Sequence, residues 1–190
     1  MPTDELAKLF DTMMGHSSNA GGEIYPGRPG FVLAEGVLQA MVWGFPLHRR
    51  GKGGQMLKPN PINNTRDDRL DSPFWRASFA NRRCLIPMQA FAETEGVTGA
   101  KTRTWISVPS EDVFTCAGIW RDSAEWGRVY SLVMTQASEQ MSAVHDRMPV
   151  IVAAQDRHLW LTAPPEQAHV LCRSFAGPMS IERTAQLWSG

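Results

Sequence analysis

Little in this chain points to a stapled, metal-bound or membrane-spanning protein. Its three cysteines, Cys84, Cys116 and Cys172, cannot all pair with one another, and none sits in a Cys-x-x-Cys pair. A disulfide framework and a zinc knuckle are therefore excluded as organising features. No run approaches the roughly twenty apolar residues that cross a bilayer, and no basic segment followed by an apolar one opens the sequence. The expectation is a reduced, cytoplasmic protein without membrane contact. The five histidines form no HxxxH or HExxH element, so no metal site is expected. A glycine-rich phosphate loop and a GxSxG elbow are also missing, which sets aside P-loop nucleotide hydrolysis and the α/β-hydrolase mechanism; no cofactor is expected. Charge of one sign is lacking as well. Nineteen basic residues cancel nineteen acidic ones, so attraction to a polyanion has to come from a local patch.

Such a patch is available. Residues 48–103 hold eleven Lys or Arg against five Asp or Glu, enough for a locally basic surface, although solvated charges scattered around a domain are the commoner arrangement. The 190 residues suit one domain, 1–190, large enough to bury a core without covalent help. Residues 4–14 space Leu6, Leu9, Phe10, Met13 and Met14 for a short amphipathic helix, followed by a Gly/Ser/Asn-rich loop over 15–22. Residues 31–34 and 37–43 read as a hairpin around Glu35-Gly36, and 44–61 as a long surface loop rich in glycine and proline. A short helix is predicted over 73–80, with Pro73 at its first position. Strands are predicted at 84–87, 90–93, 103–108, 113–120 and 129–135, a short helix at 138–144, and a helix at 165–175. The last fifteen residues carry no clear pattern. The fold class is α+β: a single domain with a predominantly antiparallel, barrel-like β core surrounded by short helices.

Chemistry concentrates in three places. In His145-Asp146-Arg147 a proton exchanger, an acid and a planar cation precede Met148-Pro149 and the apolar residues 150–152. Pro149 forces Met148 into extended geometry, so the triplet belongs at a strand mouth. It also reads as a structural ion pair. Asn63-Asn64-Thr65-Arg66 follows the long loop and offers an amide with donor and acceptor atoms beside a guanidinium, or simply an Asn-rich turn. Glu93 ends an apolar strand, where partial burial suits a general acid and full solvation makes it ordinary. Spacing alone does not bring Asn64, Glu93 and His145 together. Cys84 or Cys116 acting with His145 as a Cys/His peptidase is the other enzymatic reading, although both lie in apolar strands that favour inert thiols.

Six segments taken in order resemble the SRAP (SOS response-associated peptidase) domain family. They are Trp43-Gly44-Phe45-Pro46, Asn64-Thr65-Arg66 where the family has Asn-Ala-Arg, Arg83-Cys84-Leu85-Ile86-Pro87, Phe91-Ala92-Glu93, Ala117-Gly118-Ile119-Trp120 and His145-Asp146-Arg147-Met148-Pro149. Tyr25-Pro26-Gly27 and Glu93-Thr94 look like a phage-related branch. The resemblance implies a sensor of abasic sites in single-stranded DNA, active in DNA-damage responses, whose N-terminal cysteine joins the opened sugar aldehyde as a thiazolidine crosslink. It further implies that Asn64 positions that cysteine, Glu93 acts as acid and base, and His145 assists proton transfer at the sugar. Arg66 and Arg147 match phosphate-gripping arginines, with Pro26 and Arg28 as further DNA contacts, and the working form is a monomer.

The opening departs from the pattern. The sequence begins Met1-Pro2-Thr3-Asp4, without the family's Cys-Gly-Arg-aromatic start. Either the sequence as given starts at an internal methionine or the nucleophile has been lost; the survival of the other three positions favours the first. Use of the Pro2 secondary amine is a remoter option. Aromatic residues that many members carry just after the Trp-Gly-x-x-Pro motif are Leu47, His48 and Arg49 here, so base stacking is expected to be weaker or to use Trp75 or Trp126, which could equally belong to the core. A noncatalytic nucleic-acid-binding module remains the main rival.

Overall fold

The computed structural model describes residues 22–188. The helix expected over 4–14 lies outside the described residues. A tight hairpin starts the fold: β1 (Pro29–Ala34) and β2 (Val37–Trp43) are antiparallel. Glu35 and Gly36 both take positive φ, 55° and 76°, the handedness that matches the twist of the flanking strands. β6 (Arg83–Met88), β9 (Phe114–Ser123) and β10 (Gly127–Gln136) complete a ring. β10 pairs β2, β2 pairs β1, β1 pairs β6, β6 pairs β9, and β9 returns to β10, which closes a five-stranded barrel without free edges. The expected α+β, barrel-like architecture is the one observed.

Side-chain alternation divides the strands between two cores. Leu33, Leu85, Ala117, Ile119, Val129 and Val133 pack with Phe79 and Trp160, which project from the helices Arg76–Asn81 and Arg157–Thr162. Their neighbours in sequence, among them Val32, Ala34, Ile86, Leu132 and Met134, form the second core. Arg83 is buried beside the first core, where its guanidinium donates to the carbonyls of Phe79, Trp160 and Ala163 and closes two helix ends.

Strands outside the ring position the site. β5 (Asn64–Arg66) runs parallel to β10, with Asn64 opposite Leu132 and Arg66 opposite Met134. β11 (Arg147–Pro149) is antiparallel to β10, with Arg147 opposite Gln136. A separate antiparallel sheet joins β7 (Phe91–Glu95), β8 (Thr102–Ser107) and β12 (Ser180–Leu187).

Five expectations change. The helix predicted over 73–80 runs Arg76–Asn81, and Pro73 lies in the turns before it. The presumed loop 44–61 contains a ribbon of β3 (Phe45–Leu47) and β4 (Asn60–Ile62), with Pro46 opposite Pro61. Prolines normally argue against a strand, and a two-stranded ribbon tolerates them because each strand has an edge that needs no N–H donor. Residues 138–144 form successive turns rather than a helix: Ser142 and His145 each donate a backbone bond four residues back, and no ladder propagates. The helix predicted to reach 175 stops as Pro165–His169, because the N–H groups of Val170, Leu171 and Cys172 bond three residues back and tighten the chain. The unassigned tail supplies β12. No described helix is long and apolar enough to cross a membrane.

Candidate functional site

A cleft of about 490 Å³ opens on the second core and takes walls from both sheets. Ile86, Leu132, Met134 and Pro149 give it an apolar lining, and Asn64, Glu93, Trp105, Pro26 and Trp43 also line it. Asn64 and Glu93, distant in sequence, thus face one cavity.

Asn64 owes its place to Trp43. The indole Nε1–H donates to the Asn63 carbonyl at 2.9 Å, while the Leu132 N–H donates to the same oxygen at 2.9 Å. Gly44, next to Trp43, has φ 118°, and a Cβ there would lie 2.3 Å from Pro61 Cβ. Only glycine permits this approach of β3 and β4. The Trp-Gly-Phe-Pro motif therefore acts as scaffold for the strand bearing Asn64.

Glu93 sits in β7 opposite Thr104. Burial pushes its carboxyl above the usual range, the charge of His145 pulls it back in part, and Asp146 pushes it up again. A carboxyl in this setting holds a proton more readily than a solvated one and can donate it. His145 and Asp146 act on the Glu93 carboxyl through their charges and do not themselves line the cleft.

His145 is fixed from its own segment. Its backbone N–H bonds the Met141 carbonyl at 3.1 Å, and its Nδ1 accepts the Arg147 N–H at 3.0 Å. That bond leaves the proton of a neutral ring on Nε2. When the ring is protonated, Nδ1–H has Asp146 Oδ1 and the Arg147 carbonyl as acceptors, both at 3.2 Å. Partners for both protonation states suit a residue that carries protons.

The expected phosphate anchors Arg66, Arg147 and Arg28 do not line this cleft; Arg147 lines a separate pocket with Asp67, Asp68 and Thr135, and both Arg66 and Arg147 already face acids. Arg66 makes a two-point contact with the Asp68 carboxylate, which raises the Arg66 pKa and lowers that of Asp68. Arg147 lies 3.9 Å from Asp67 Oδ1, and Asp67 in turn accepts the Thr135 hydroxyl at 2.8 Å. Arg28 is exposed beside Pro26 and has no acidic partner among the described residues.

Of the two roles open to Trp75 and Trp126, base stacking or core, the structure favours packing against the core. Trp75 is only 8% exposed and packs with Phe45 and Phe74 at ring distances of 5.0 and 4.6 Å; Trp126 packs against the first core. The aromatics at the cleft are Tyr25, Trp43, Phe91, Trp105, Tyr130 and Trp188. Sequence reasoning also missed Arg103, which is buried in β8 and lines the cleft. A cation two residues before Trp105-Ile106 in a predicted strand was the available signal. Cys84 and Cys116 are fully buried and burial pushes both thiols strongly upward, the reverse of an activated thiolate. No cluster of three or more His, Cys, Asp or Glu suited to a metal occurs among the described residues.

Comparison with known proteins agrees with this architecture. The abasic site processing protein YobE of Bacillus subtilis is 29% identical over 105 residues, covering 53% of this chain and 48% of that protein. YoaM of the same organism, also named an abasic site processing protein, is 30% identical over 105 residues, covering 53% and 46%. The chain spans about half the length of these curated relatives. A crystal structure from Bordetella bronchiseptica superposes with a TM-score of 0.72 at 20% identity, covering 96% of this chain and 95% of that one. A phage-related protein from the same organism gives 0.61 at 20% identity, covering 86% and 81%. The family model described as SOS response associated peptidase (SRAP) matches residues 2–185. With this match over nearly its whole length and the barrel of those structures, the chain belongs to the SRAP family.

Proposed function

We propose that the cleft between β5, β7 and β10 binds single-stranded DNA at an abasic site and promotes covalent capture of the opened sugar. The observation that carries this reading is Glu93: a carboxyl raised by burial, facing the same cavity as Asn64 and within the field of His145. The names of the Bacillus relatives support abasic DNA as the substrate class.

On a chain bearing an N-terminal cysteine, the amine adds to the sugar aldehyde and the resulting carbinolamine loses water to give an imine. The thiol sulfur then adds to the imine carbon and closes a thiazolidine. Protonated Glu93 supplies the proton that lets the hydroxyl leave as water, and its carboxylate recovers a proton from the thiol. His145 relays protons at the sugar oxygen, and the Asn64 amide orients the amine. Arg66, Arg147 and Arg28, with Pro26 beside them, hold the flanking phosphates. Binding exchanges the Asp68 and Asp67 contacts for phosphate oxygens.

Fluorescence anisotropy with an oligonucleotide carrying one stable abasic analogue, compared with the same strand intact, tests the binding step. We expect tighter binding of the abasic strand, reduced about five- to tenfold by Asn64→Ala, in line with ~1 kcal/mol for a lost hydrogen bond. Equal affinity for both strands, unchanged by Asn64→Ala and Glu93→Gln, would indicate a nonspecific binding module.

A further inference from the structure

Behind Glu93 the cleft wall holds a cation that the proposed chemistry does not use. Arg103 projects from β8 with only 3% of its side chain exposed. Its guanidinium lies 5.4 Å from the Trp105 ring centre and 5.5 Å from that of Trp188, distances at which a cation is held by the ring faces. Nη1 donates to Glu23 Oε2 at 2.7 Å and Nη2 to the Tyr25 hydroxyl at 3.3 Å. The buried Nε has no hydrogen-bond partner among the described residues. The fork is rigidly set and incompletely satisfied.

Its anionic partner is built differently. The Glu23 side chain is 41% exposed and lies in residues 22–26, which form no helix or strand. This segment is tied down just beyond, where the Gly27 N–H donates to the Trp43 carbonyl at 2.6 Å. Glu23, Tyr25, Arg103, Trp105 and Trp188 all line the same cleft as Glu93. A buried cation on a strand thus faces an anion on an irregular, exposed segment.

We infer that Arg103 is an additional phosphate subsite for the single strand, and that Glu23 occupies it in the unliganded protein as a resident competitor. The inference rests on the reading of this cleft as a single-stranded DNA site. A phosphodiester offers two non-bridging oxygens and one negative charge, as a carboxylate does, so it can take Glu23's place on the fork. A flanking base then stacks on Trp188 or Tyr25, exposed at 39% and 42%. No new covalent step is involved. Glu23 sets affinity by exchanging with the strand.

The test is a double-mutant cycle read by anisotropy with a fluorescein-labelled oligothymidine carrying one abasic analogue, over a series of NaCl concentrations. Glu23→Gln keeps the side chain's size and a hydrogen-bonding group while removing the competing charge; it is expected to tighten binding about two- to fivefold, the scale of a partly exposed ion pair. Arg103→Gln is expected to weaken binding and reduce the salt slope by about 0.7, the single-strand value for one phosphate contact. In the Arg103→Gln background, Glu23→Gln is expected to change nothing. The inference is overturned if Glu23→Gln leaves affinity unchanged or weakens it, which would make the pair a structural tie. It is also overturned if Glu23→Gln tightens binding equally without Arg103, which would be a general charge effect. Should Arg103→Gln fail to fold, as circular dichroism would reveal, Arg103→Lys takes its place: the point charge remains, the two-point fork is lost, and the Glu23→Gln gain must shrink. Absence of binding by every variant at low salt would overturn the DNA reading and this subsite together, whereas binding without the Glu23 effect removes the subsite alone.

Discussion

Glu93 links the chemistry of the site to the stability of the protein. Its folded-state pKa is raised by burial. Below the unfolded pKa both states are protonated and the group is neutral in its effect. Stability is then lost as pH rises from there through the folded value, because only the unfolded chain solvates the carboxylate freely. Glu93→Gln removes that penalty, so it should raise the Tm at pH 7 by about 2–4 °C, corresponding to ~1 kcal/mol for a chain this long. The difference should vanish near pH 4 in melts followed by circular dichroism. A gain in stability with a loss of function is the signature of a site residue held in an unfavourable setting. Asp68 behaves in the opposite way. Its carboxylate is lowered by Arg66, and both side chains are about half exposed. Asp68→Asn should cost little stability and release Arg66, tightening single-stranded DNA binding about two- to fivefold in anisotropy.

Among the elements, the hairpin β1–β2 and the strands of the barrel were legible because their apolar alternation and the Glu35-Gly36 turn are local signals. The β3–β4 ribbon was hidden by its own prolines, and β12 by a pattern with mostly exposed residues. Residues 138–144 have helical composition, yet the backbone instead bends to present His145, and tertiary packing of Met141 and Met148 overrides propensity. Trp-Gly-Phe-Pro was legible as a motif while its purpose was not. The contact of Gly44 with Pro61 and the indole bond to Asn63 join residues about twenty apart in sequence. Gly44→Ala combines a Cβ overlap with positive φ and should cost about 2–4 kcal/mol in urea unfolding, without relief by repacking, since the clashing atoms belong to a proline ring and its backbone. A cost under ~1 kcal/mol would mean that the ribbon yields easily and that Asn64 is not held by it.

For the whole molecule, barrel closure is what assembles the site. β10 carries β5 on one flank and β11 on the other, so Asn64, Arg66 and Arg147 gather around a single strand, and the β7–β8–β12 sheet brings Glu93 to the same cleft as Asn64. Matching of ordered segments identified Asn64, Glu93 and His145 as candidates, since each lies within a short motif. Glu23, Arg103 and Trp188 escaped notice because they meet only through the pairing of β8 with β12 and the path of residues 22–26 across the cleft, contacts that span some eighty residues. The zero net charge read from composition also concealed how its arginines are arranged, with Arg66, Arg103 and Arg147 each facing an acid. The most direct test of the central claim is the yield of heat-stable adduct on a denaturing gel. Natural abasic single-stranded DNA is incubated with the chain extended at its N-terminus to begin Cys-Gly-Arg, with its Glu93→Gln form, and with the 190-residue polypeptide beginning Met1-Pro2. The account predicts adduct from the extended chain, slowed about a hundredfold or more by Glu93→Gln as expected for loss of a general acid, and none from the polypeptide beginning Met1-Pro2. No adduct from the extended chain, or one formed equally fast without the Glu93 carboxyl, would contradict it.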